Sequence, residues 1–183
     1  MANNLITIIY STNRTNLGVT PLFYNWLKEP LWQHMYNMFH GYSDSVVVLG
    51  LDTVEESNDV FQEIKKVLSK SNTEKVFLID ISLAMLSEDS INRILSINNE
   101  NILSVKKEYA IVNMNNRNYE TEFNKYLGCD FVTKNIVMKA NSFSEMYDLA
   151  VQSDSKLFQL PYEETFKLNS KKDAVLLKHL ATL

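Results

Sequence analysis

Short runs of β-branched apolar residues alternate with longer segments of helical periodicity along almost the whole chain. The runs are Leu5–Tyr10, Ser45–Leu51, Lys75–Ile81, Tyr109–Met114 and the more polar Phe131–Lys139. Strands that consist of continuous apolar residues are buried on both faces, as in parallel sheets covered by helices. We therefore predict an α/β fold: a doubly wound, mostly parallel sheet of four to five strands with helices on both faces. The last run alternates in polarity, so we expect it at the edge.

Helical periodicity fills the intervals between these runs. Val19–His40 carries apolar residues on one helical face, and Pro30 within it predicts a break at Glu29 and hence two helices. These helices are rich in aromatic residues and methionine, which favours either core packing or a dimer surface. Further helices are predicted from Asp52 or Thr53 to Ser69, from Ser87 onward, and over Tyr119–Leu127, Ser142–Ser153 and Lys171–Thr182. Ser87 and Ser142 are the predicted N-caps of their helices, and Ser142 forms a capping box with Glu145.

The length of 183 residues suits a single compact unit with a large core. We predict an α/β sheet domain over residues 1–140 and a C-terminal helical extension over residues 141–183, packed on the same domain or on a partner subunit. Residues 154–170 resemble an extended segment that could dock on a second subunit. A homodimer is the expected assembly.

Charge and targeting signals limit the classes of partner. The formal net charge is -4 and no Lys/Arg run exceeds two residues, so we expect neither nucleic acid nor an anionic membrane surface as a partner. No basic leader precedes the first apolar run, and no apolar stretch reaches the ~18 residues that span a bilayer. The single Cys129 is consistent with a reducing compartment. We therefore expect a cytoplasmic protein.

The carboxyl ends of the strands are where an open parallel sheet binds ligands. Hydroxyl and amide side chains follow the first strand and could face an anion at a helix start. Carboxylates follow the second and third strands. The one at the third, Asp80, either has a site role or caps a helix and bonds loop amides, because an unpaired buried charge is costly. The candidate ligand-binding crevice comprises Ser11, Thr12, Asn13, Asp52, Asp80 and Ser82.

Two of these segments also carry a family resemblance. Gly50-Leu51-Asp52, and the stretch with Asp80, Ser82 and Ala84, are similar to the phosphotransferase subunit of the dihydroxyacetone kinase system, in the mannose-type enzyme IIA family. That family's phosphoryl-accepting His follows the first strand, where this chain has Thr12. A threonine hydroxyl without a base is a poor nucleophile near neutral pH. The resemblance implies a non-catalytic binding or regulatory protein, linked to sugar or dihydroxyacetone phosphotransfer, with another phosphotransfer protein as a partner.

Three alternatives remain open. An active phosphocarrier would use a different histidine, although His34, His40 and His179 are each interpreted as surface or packing residues. A von Willebrand A-like domain would bind Mg²⁺ at Asp80 and Ser82, with Ala84 in place of one ligand. A flavodoxin-like electron carrier is the third alternative. We assign no catalytic residue and no metal ligand, and we expect no cofactor.

Overall fold

The computed structural model describes residues 4–12, 21–51, 59–97, 100–114 and 117–182. Its strands are β1 (Leu5–Tyr10), β2 (Asn25–Trp26), β3 (Glu29–Pro30), β4 (Ser45–Val48), β5 (Lys75–Asp80), β6 (Ile102–Met114), β7 (Arg117–Tyr126), β8 (Cys129–Thr133) and β9 (Lys156–Gln159). Its α-helices are α1 (Leu31–His40), α2 (Val60–Lys70), α3 (Glu88–Ser96), α4 (Lys134–Lys139), α5 (Phe143–Gln152) and α6 (Lys171–Leu180). Short 3-10 helices lie at Pro21–Phe23 and Tyr162–Thr165.

Seven described strands form one sheet in the order β4-β1-β5-β8-β6-β7, with β9 paired to β6. β1 is parallel to both β4 and β5, and β9 is parallel to β6. β8 is antiparallel to β5 and to β6, so β6 runs in the same direction as β5. The predicted doubly wound α/β sheet is confirmed. It contains two more strands than predicted, because β7 comes from a segment that was predicted as a helix and β9 from one that was predicted as an extended segment outside the sheet.

Helices cover both faces of the sheet, and two apolar cores result. α1, α3 and α6 pack on one face and α2, α4 and α5 on the other. β5 supplies both cores in alternation, with Phe77 and Ile79 on one side and Val76 and Leu78 on the other. This alternation follows from the two-residue period of a strand and explains why the four central residues of β5, Val76–Ile79, are all apolar.

The segment before Pro30 is not the helix that we predicted. Its described part consists of a 3-10 turn and the two-residue ribbon β2–β3, and α1 begins only at Leu31. Trp26, Leu31 and Phe39 are all buried in the same core. The apolar spacing in the sequence resembled one helical face because residues before and within α1 contact the same core. Core packing therefore accounts for most of the apolar residues in this segment.

Two further predictions were wrong in the second half of the chain. The predicted helix Tyr119–Leu127 is strand β7, which pairs along its length with β6. Its aromatic and β-branched residues alternate with polar ones, which favours a strand. The predicted edge strand Phe131–Lys139 is an internal strand, β8, followed at once by α4. The polar residues that suggested an edge strand lie at the end of β8 and in the first turn of α4, where the chain passes from strand to helix.

The last 40 residues contribute to both cores. α5 buries Met146 and Ala150 on one face of the sheet, while α6 buries Ala174 and Leu177 on the other. Ser142 caps α5, as predicted, by accepting a hydrogen bond of 3.2 Å from the Glu145 amide. Within the described ranges, no helix combines the length and the apolar character needed to cross a lipid bilayer.

Candidate functional site

The Asp80 carboxylate lies at the carboxyl end of β5, beside the end of β1, and is almost completely buried. Its Oδ1 accepts hydrogen bonds from the Ser82 amide at 3.0 Å and the Ser82 hydroxyl at 2.8 Å. Its Oδ2 accepts one from the Lys167 ammonium at 2.8 Å and one from the Thr12 hydroxyl at 3.3 Å. Asp80 therefore bonds a loop amide and also joins two distant segments at the crevice.

Lys167 reaches this position from the segment between β9 and α6. The backbone beside it is anchored, because the Leu168 amide donates to the Ser82 carbonyl at 2.8 Å and the Leu168 side chain is buried. The Lys167 side chain is 27% exposed, whereas that of Asp80 is 3% exposed. The ammonium group is thus fixed at one end by a buried carboxylate and still accessible to an anion from solvent.

Gly128 closes the inner side of the site. Its carbonyl accepts a hydrogen bond of 2.6 Å from the Asp80 amide, and its φ of +87° favours glycine. A Cβ at this position would lie 2.8 Å from the Tyr10 hydroxyl oxygen and 3.0 Å from the Asp80 Cβ. The glycine therefore lets the ring of Tyr10 pack against the end of β5.

A second carboxylate, Asp130, is buried two residues further along β8. It accepts hydrogen bonds from the Ser104 amide at 3.0 Å and from the Tyr147 hydroxyl at 3.1 Å. Burial raises the pKa of Asp130 to about 7, while these two donors and the Lys167 charge oppose that rise. Burial also raises the pKa of Tyr147 and of Tyr10. At neutral pH this region contains ionisable groups held close to or in their uncharged forms.

A cleft of about 260 Å³ opens next to Thr12. Its walls are two aromatic rings and several polar groups: Thr12, Asp59, Val60, Phe61, Asn141, Ser142 and Phe143. The N-termini of α2 and α5 face it through their caps, Asp59 and Ser142. Because Asp59 already accepts from the Phe61 and Gln62 amides at 3.0 and 3.2 Å, the cleft suits an uncharged group rather than an anion.

The structure brings together only part of the predicted crevice. Asp80 and Ser82 are in direct contact, Thr12 adjoins them, and Ser11 is half-buried at the end of β1. Two predicted members, Asn13 and Asp52, lie outside the described residues. Sequence reasoning missed Lys167, Gly128, Asp130 and Tyr147. Only Gly128 carried a local signal, as a glycine directly before a strand.

The histidines lie elsewhere in the fold. His34 and His40 are on α1, and His179 is exposed on α6. The His34 Nδ1 is 3.4 Å from the Glu29 carboxylate, and the His40 ring packs at 5.6 Å from that of Tyr36. No group of three or more His, Cys, Asp or Glu side chains in the described part of the chain could hold a metal ion.

Neither protein-family models nor curated proteins match the sequence. Solved structures do match. The bifunctional IspDF from Campylobacter jejuni aligns with a TM-score of 0.70 at 16% identity, over 92% of this chain and 53% of its own length. The chain thus spans about half of that protein. The 2-C-methyl-D-erythritol 4-phosphate cytidylyltransferase from Thermus thermophilus gives a TM-score of 0.68 at 12% identity, over 97% of this chain and 98% of its own.

A third structure adds a bound nucleotide. CMP:2-keto-3-deoxy-manno-octonic acid synthetase, solved in complex with CTP, gives a TM-score of 0.63 at 8% identity, over 97% of this chain and 98% of its own. The chain thus shares the fold of these structures. At these identities the likeness concerns the fold, so the activity of the chain is treated as a proposal below.

This finding corrects the family resemblance drawn from the sequence. The mannose-type enzyme IIA assignment was wrong, and so was the regulatory role that it implied, because the aligned structures are cytidylyltransferases. The phosphotransfer partner that it implied has no support. The alternatives of a phosphocarrier, a flavodoxin and a von Willebrand A domain are not supported either. The resemblance was carried by polar residues at strand ends, which many doubly wound sheets share. The glycine of the resemblance, Gly50, also has a structural explanation: its φ is +90° and it packs against Leu22.

Proposed function

We propose that the protein binds a nucleoside triphosphate, with CTP as the first candidate, and transfers its nucleotidyl group to a phosphorylated or acidic alcohol. In this reaction an acceptor oxygen bonds to the α-phosphorus while the bond to pyrophosphate breaks. The observation that carries the proposal is the Lys167–Asp80 ion pair at the carboxyl ends of β1 and β5. The fold shared with cytidylyltransferases supports it.

Lys167 is the group that we assign to the phosphates. Its ammonium is partly exposed, and the buried Asp80 carboxylate fixes its position. A fixed cation stabilises the negative charge that grows on the phosphate oxygens in the transition state, at no further cost of reorganisation. Lys167 would therefore serve both in binding and in catalysis.

The cleft beside Thr12 is our candidate for the nucleoside. Thr12 both lines the cleft and donates to Asp80, so the cleft and the ion pair are contiguous. Its volume of about 260 Å³ is close to the lower end of ligand pockets, roughly 300 Å³. The rings of Phe61 and Phe143 offer apolar contact to a base, and the polar caps Asp59 and Ser142 offer hydrogen-bonding groups.

A nucleoside triphosphate normally arrives with Mg²⁺, which uses one or two carboxylates together with the phosphate oxygens of the substrate. Each oxygen of Asp80 already accepts two hydrogen bonds, so this carboxylate has no free lone pair for such an ion. We therefore assign no metal ligand among the described residues of the crevice. A metal that arrives with the substrate would be held by phosphate oxygens and water and would neutralise phosphate charge, while Lys167 orients the phosphates.

Calorimetric titration with CTP, UTP, GTP and ATP in the presence of Mg²⁺ tests the binding. We expect Lys167→Ala to weaken CTP binding roughly 10- to 100-fold, since a hydrogen bond to a charged group contributes about 1.5–3 kcal/mol. Lys171→Ala, an exposed lysine on α6, is the matched control and should bind as the wild type does. The proposal fails if no triphosphate binds, or if Lys167→Ala binds as tightly as the wild type.

Transfer is tested separately by pyrophosphate release. CTP is incubated with candidate acceptors, beginning with 2-C-methyl-D-erythritol 4-phosphate and 3-deoxy-manno-octulosonic acid. We expect acceptor-dependent release that falls at least tenfold in Lys167→Ala and is unchanged in Lys171→Ala. Binding of CTP without release for any phosphorylated or acidic alcohol would favour a nucleotide-binding protein without transferase activity.

A homodimer joined through the β6–β7 hairpin is part of the proposal. Beyond Val105 and Tyr126 the two strands pair only with each other among the described residues, and a two-stranded ribbon is marginally stable alone in water. This arm, defined as residues 106–114 and 117–125, exposes Tyr109, Ile111, Val112, Tyr119 and Phe123. It carries four basic and three acidic side chains, a balance that allows two copies to approach without net repulsion.

The assembly is tested by sedimentation velocity over a range of concentrations. We expect a dimer for the wild type and a monomer for the double variant Ile111→Ser with Phe123→Ser. Val175→Ser, which changes an apolar side chain 73% exposed on α6, should remain dimeric. A wild-type monomer at every concentration would contradict the proposal.

A cytoplasmic location is likewise proposed. It is supported by the free and buried Cys129 and by the nucleoside triphosphates that the proposed reaction needs. Fractionation of cells that express the full-length protein tests it. Recovery in the membrane pellet or in the medium would contradict it.

A further inference from the structure

Glu164 is a buried acid to which the proposed reaction gives no role. It lies in the 3-10 turn Tyr162–Thr165 and is only 4% exposed. Its Oε1 accepts a hydrogen bond of 2.6 Å from the Ser87 hydroxyl, whereas its Oε2 is buried and has no hydrogen-bond partner in the described part of the chain. Burying a carboxylate is costly unless its oxygens are bonded. The burial of this acid therefore needs a structural reason.

The partner of Glu164, Ser87, is the N-cap of α3. Its hydroxyl oxygen also accepts a hydrogen bond of 3.2 Å from the Ser90 amide, so one side chain both caps the helix and bonds the acid. The start of a helix carries a partial positive charge, which favours a carboxylate beside it. The hydrogen bond between Ser87 and Glu164 thus ties the segment before α6 to the start of α3.

This tie has a counterpart at the far end of the same segment. We call residues 161–168 the strap. The Leu168 amide donates to the Ser82 carbonyl at 2.8 Å, and the Leu168 side chain is buried. Ser82 comes before Ser87 in the chain, whereas Leu168 comes after Glu164. The strap therefore runs antiparallel to the loop that follows β5 and is fastened to it at both ends.

Lys167 lies between these two ties. Its ammonium bonds to the Asp80 carboxylate at 2.8 Å, and its side chain is 27% exposed. In the chain it directly precedes Leu168 and follows Glu164 within one turn, so both ties restrict its backbone. Ordering a lysine side chain costs conformational entropy, and a backbone that is already held lowers the number of positions that the ammonium can reach.

Ser90 completes the surroundings of Glu164. It is fully buried on α3, and its hydroxyl, like the Glu164 Oε2, has no hydrogen-bond partner among the described residues. Both residues are bonded to the same Ser87 hydroxyl, through the Ser90 amide and the Glu164 Oε1. One ordered water molecule satisfies such a pair, because it can donate to the carboxylate and accept from the hydroxyl. A metal ion fits less well, since it takes about six oxygen ligands and these two atoms offer only two.

We propose that Glu164 is a positioning residue for Lys167, and that one buried water molecule, bonded to the Glu164 Oε2 and the Ser90 hydroxyl, completes its anchor. The anchor holds the strap on the loop after β5, so the Lys167 ammonium is in place before a phosphate arrives. A charge that is fixed in advance binds its ligand at a lower entropic cost. The effect on phosphate binding rests on the proposed function, whereas the anchoring of the strap does not.

Hydrogen exchange measured by NMR tests the anchor without any ligand. The Leu168 amide reports the strap, and the Leu78 amide in the middle of β5 reports the whole fold. The proteins are the wild type, Glu164→Ala, Glu164→Gln and the control Glu163→Ala, which changes the exposed neighbouring acid.

We expect the Leu168 amide to exchange roughly tenfold faster or more in Glu164→Ala, with a smaller change at Leu78. Glu164→Gln should be close to the wild type, because its amide oxygen still accepts from Ser87 and its amide group can still bond the water. Unchanged exchange at Leu168 in Glu164→Ala would overturn the anchor. Equal acceleration at Leu168 and Leu78 would overturn it as well, since the acid would then stabilise the fold as a whole.

The water molecule is tested by a crystal structure of the wild type at a resolution that shows ordered solvent. We expect one density peak within roughly 2.5–3.0 Å of both the Glu164 Oε2 and the Ser90 Oγ. The absence of such a peak, or a peak with about six oxygen neighbours as a metal ion has, would overturn this part of the proposal.

The effect on Lys167 is measured with pyrophosphate as the probe. It is titrated calorimetrically into the same four proteins, at a temperature at which all of them are folded. We expect the affinity to fall roughly 2- to 10-fold in Glu164→Ala, because binding then has to order the lysine side chain. Glu164→Gln should restore it and Glu163→Ala should leave it unchanged. Equal affinity in the wild type and Glu164→Ala would overturn the positioning role.

The two proposals can fail separately. If neither CTP nor pyrophosphate binds to the wild type, the proposed function fails, and the positioning of Lys167 for phosphate fails with it. Hydrogen exchange at Leu168 and the crystal structure still decide whether Glu164 anchors the strap. If both anions bind and Leu168 exchanges equally in the wild type and Glu164→Ala, only the present inference is overturned.

Discussion

The crevice at the ends of β1 and β5 and the arm of β6–β7 belong to one sheet but differ in what surrounds them. The strands at the crevice are covered on both faces, and β5 is buried in all but its first residue. No helix in the described part of the chain covers the arm, and β7 is exposed along nearly its whole length. Burial makes an unpaired charge costly at the crevice, whereas water and salt screen the charges on the arm.

The charges in the two regions show the difference. In the arm, Lys107 and Glu122 lie 2.8 Å apart with side chains 47% and 43% exposed. Pairs this exposed contribute little to stability. At the crevice, Lys167 faces a buried Asp80 at the same distance. We infer that the arm's charges serve solubility and assembly, and that those of the crevice serve ligand binding.

A cavity in the core below the crevice, in the middle of β5, should have the largest effect on stability. Phe77 is fully buried on β5 and packs edge-to-face against Phe39 and Phe131. We expect Phe77→Ala to lower the free energy of unfolding by about 3–5 kcal/mol. Urea denaturation followed by far-UV circular dichroism measures it. A loss below about 1 kcal/mol would mean that this core is not packed as described.

The buried carboxylate should make stability depend on pH. The pKa of Asp130 is about 7 when folded, above its ordinary 3.8, so the folded protein binds the proton more tightly than the unfolded chain does. This contribution is fully present below about pH 4 and is lost as the pH rises through 7. Relative to Asp130→Asn, we expect the wild type to lose about 3 kcal/mol between about pH 5 and pH 8, at 1.36 kcal/mol per pKa unit. A constant difference in chemical denaturation across that range would contradict this.

Replacing Gly128 and Gly41 by alanine should change the free energy of unfolding in opposite directions. Gly128→Ala places a Cβ 2.8 Å from the Tyr10 hydroxyl oxygen at a φ of +87°, so we expect a loss of about 1–3 kcal/mol. Gly41 follows α1 with a φ of -81° and has nothing within 4 Å of such a Cβ. Gly41→Ala should raise stability by about 0.4–1 kcal/mol. Thermal unfolding of both variants checks the contrast, and equal shifts in Tm would sink it.

The smallest effect is expected on the arm. Ile111 is 75% exposed, so Ile111→Ala should change the free energy of unfolding of the monomer by no more than about 0.5 kcal/mol. Denaturation at low protein concentration measures this term apart from assembly. A larger loss in the monomer would show that the arm folds back onto the rest of the chain, and the contrast between the two regions would then be wrong.

The sequence alone determined the parts of the fold that depend on local pattern. The buried strands β1 and β5 were predicted because apolar residues follow one another in both of them. The caps at Ser87 and Ser142 were predicted because a hydroxyl before a helix satisfies free amides. Asp80 and Ser82 were found as polar residues at a strand end. Tyr119–Leu127 was wrongly predicted as a helix, because the polar residues of this exposed strand weaken the two-residue alternation that indicates a strand.

Only the tertiary structure decided the rest of the candidate site. Lys167 lies 87 residues from Asp80, and no spacing rule links a single lysine before the last helix to a strand end. The insertion of β8 between β5 and β6 places the buried Asp130 opposite Leu78, two residues from Asp80 on β5, although its neighbours in the sequence gave no sign of it. Local pattern fixes which residues are buried, whereas strand order and chain crossings determine which buried charges meet.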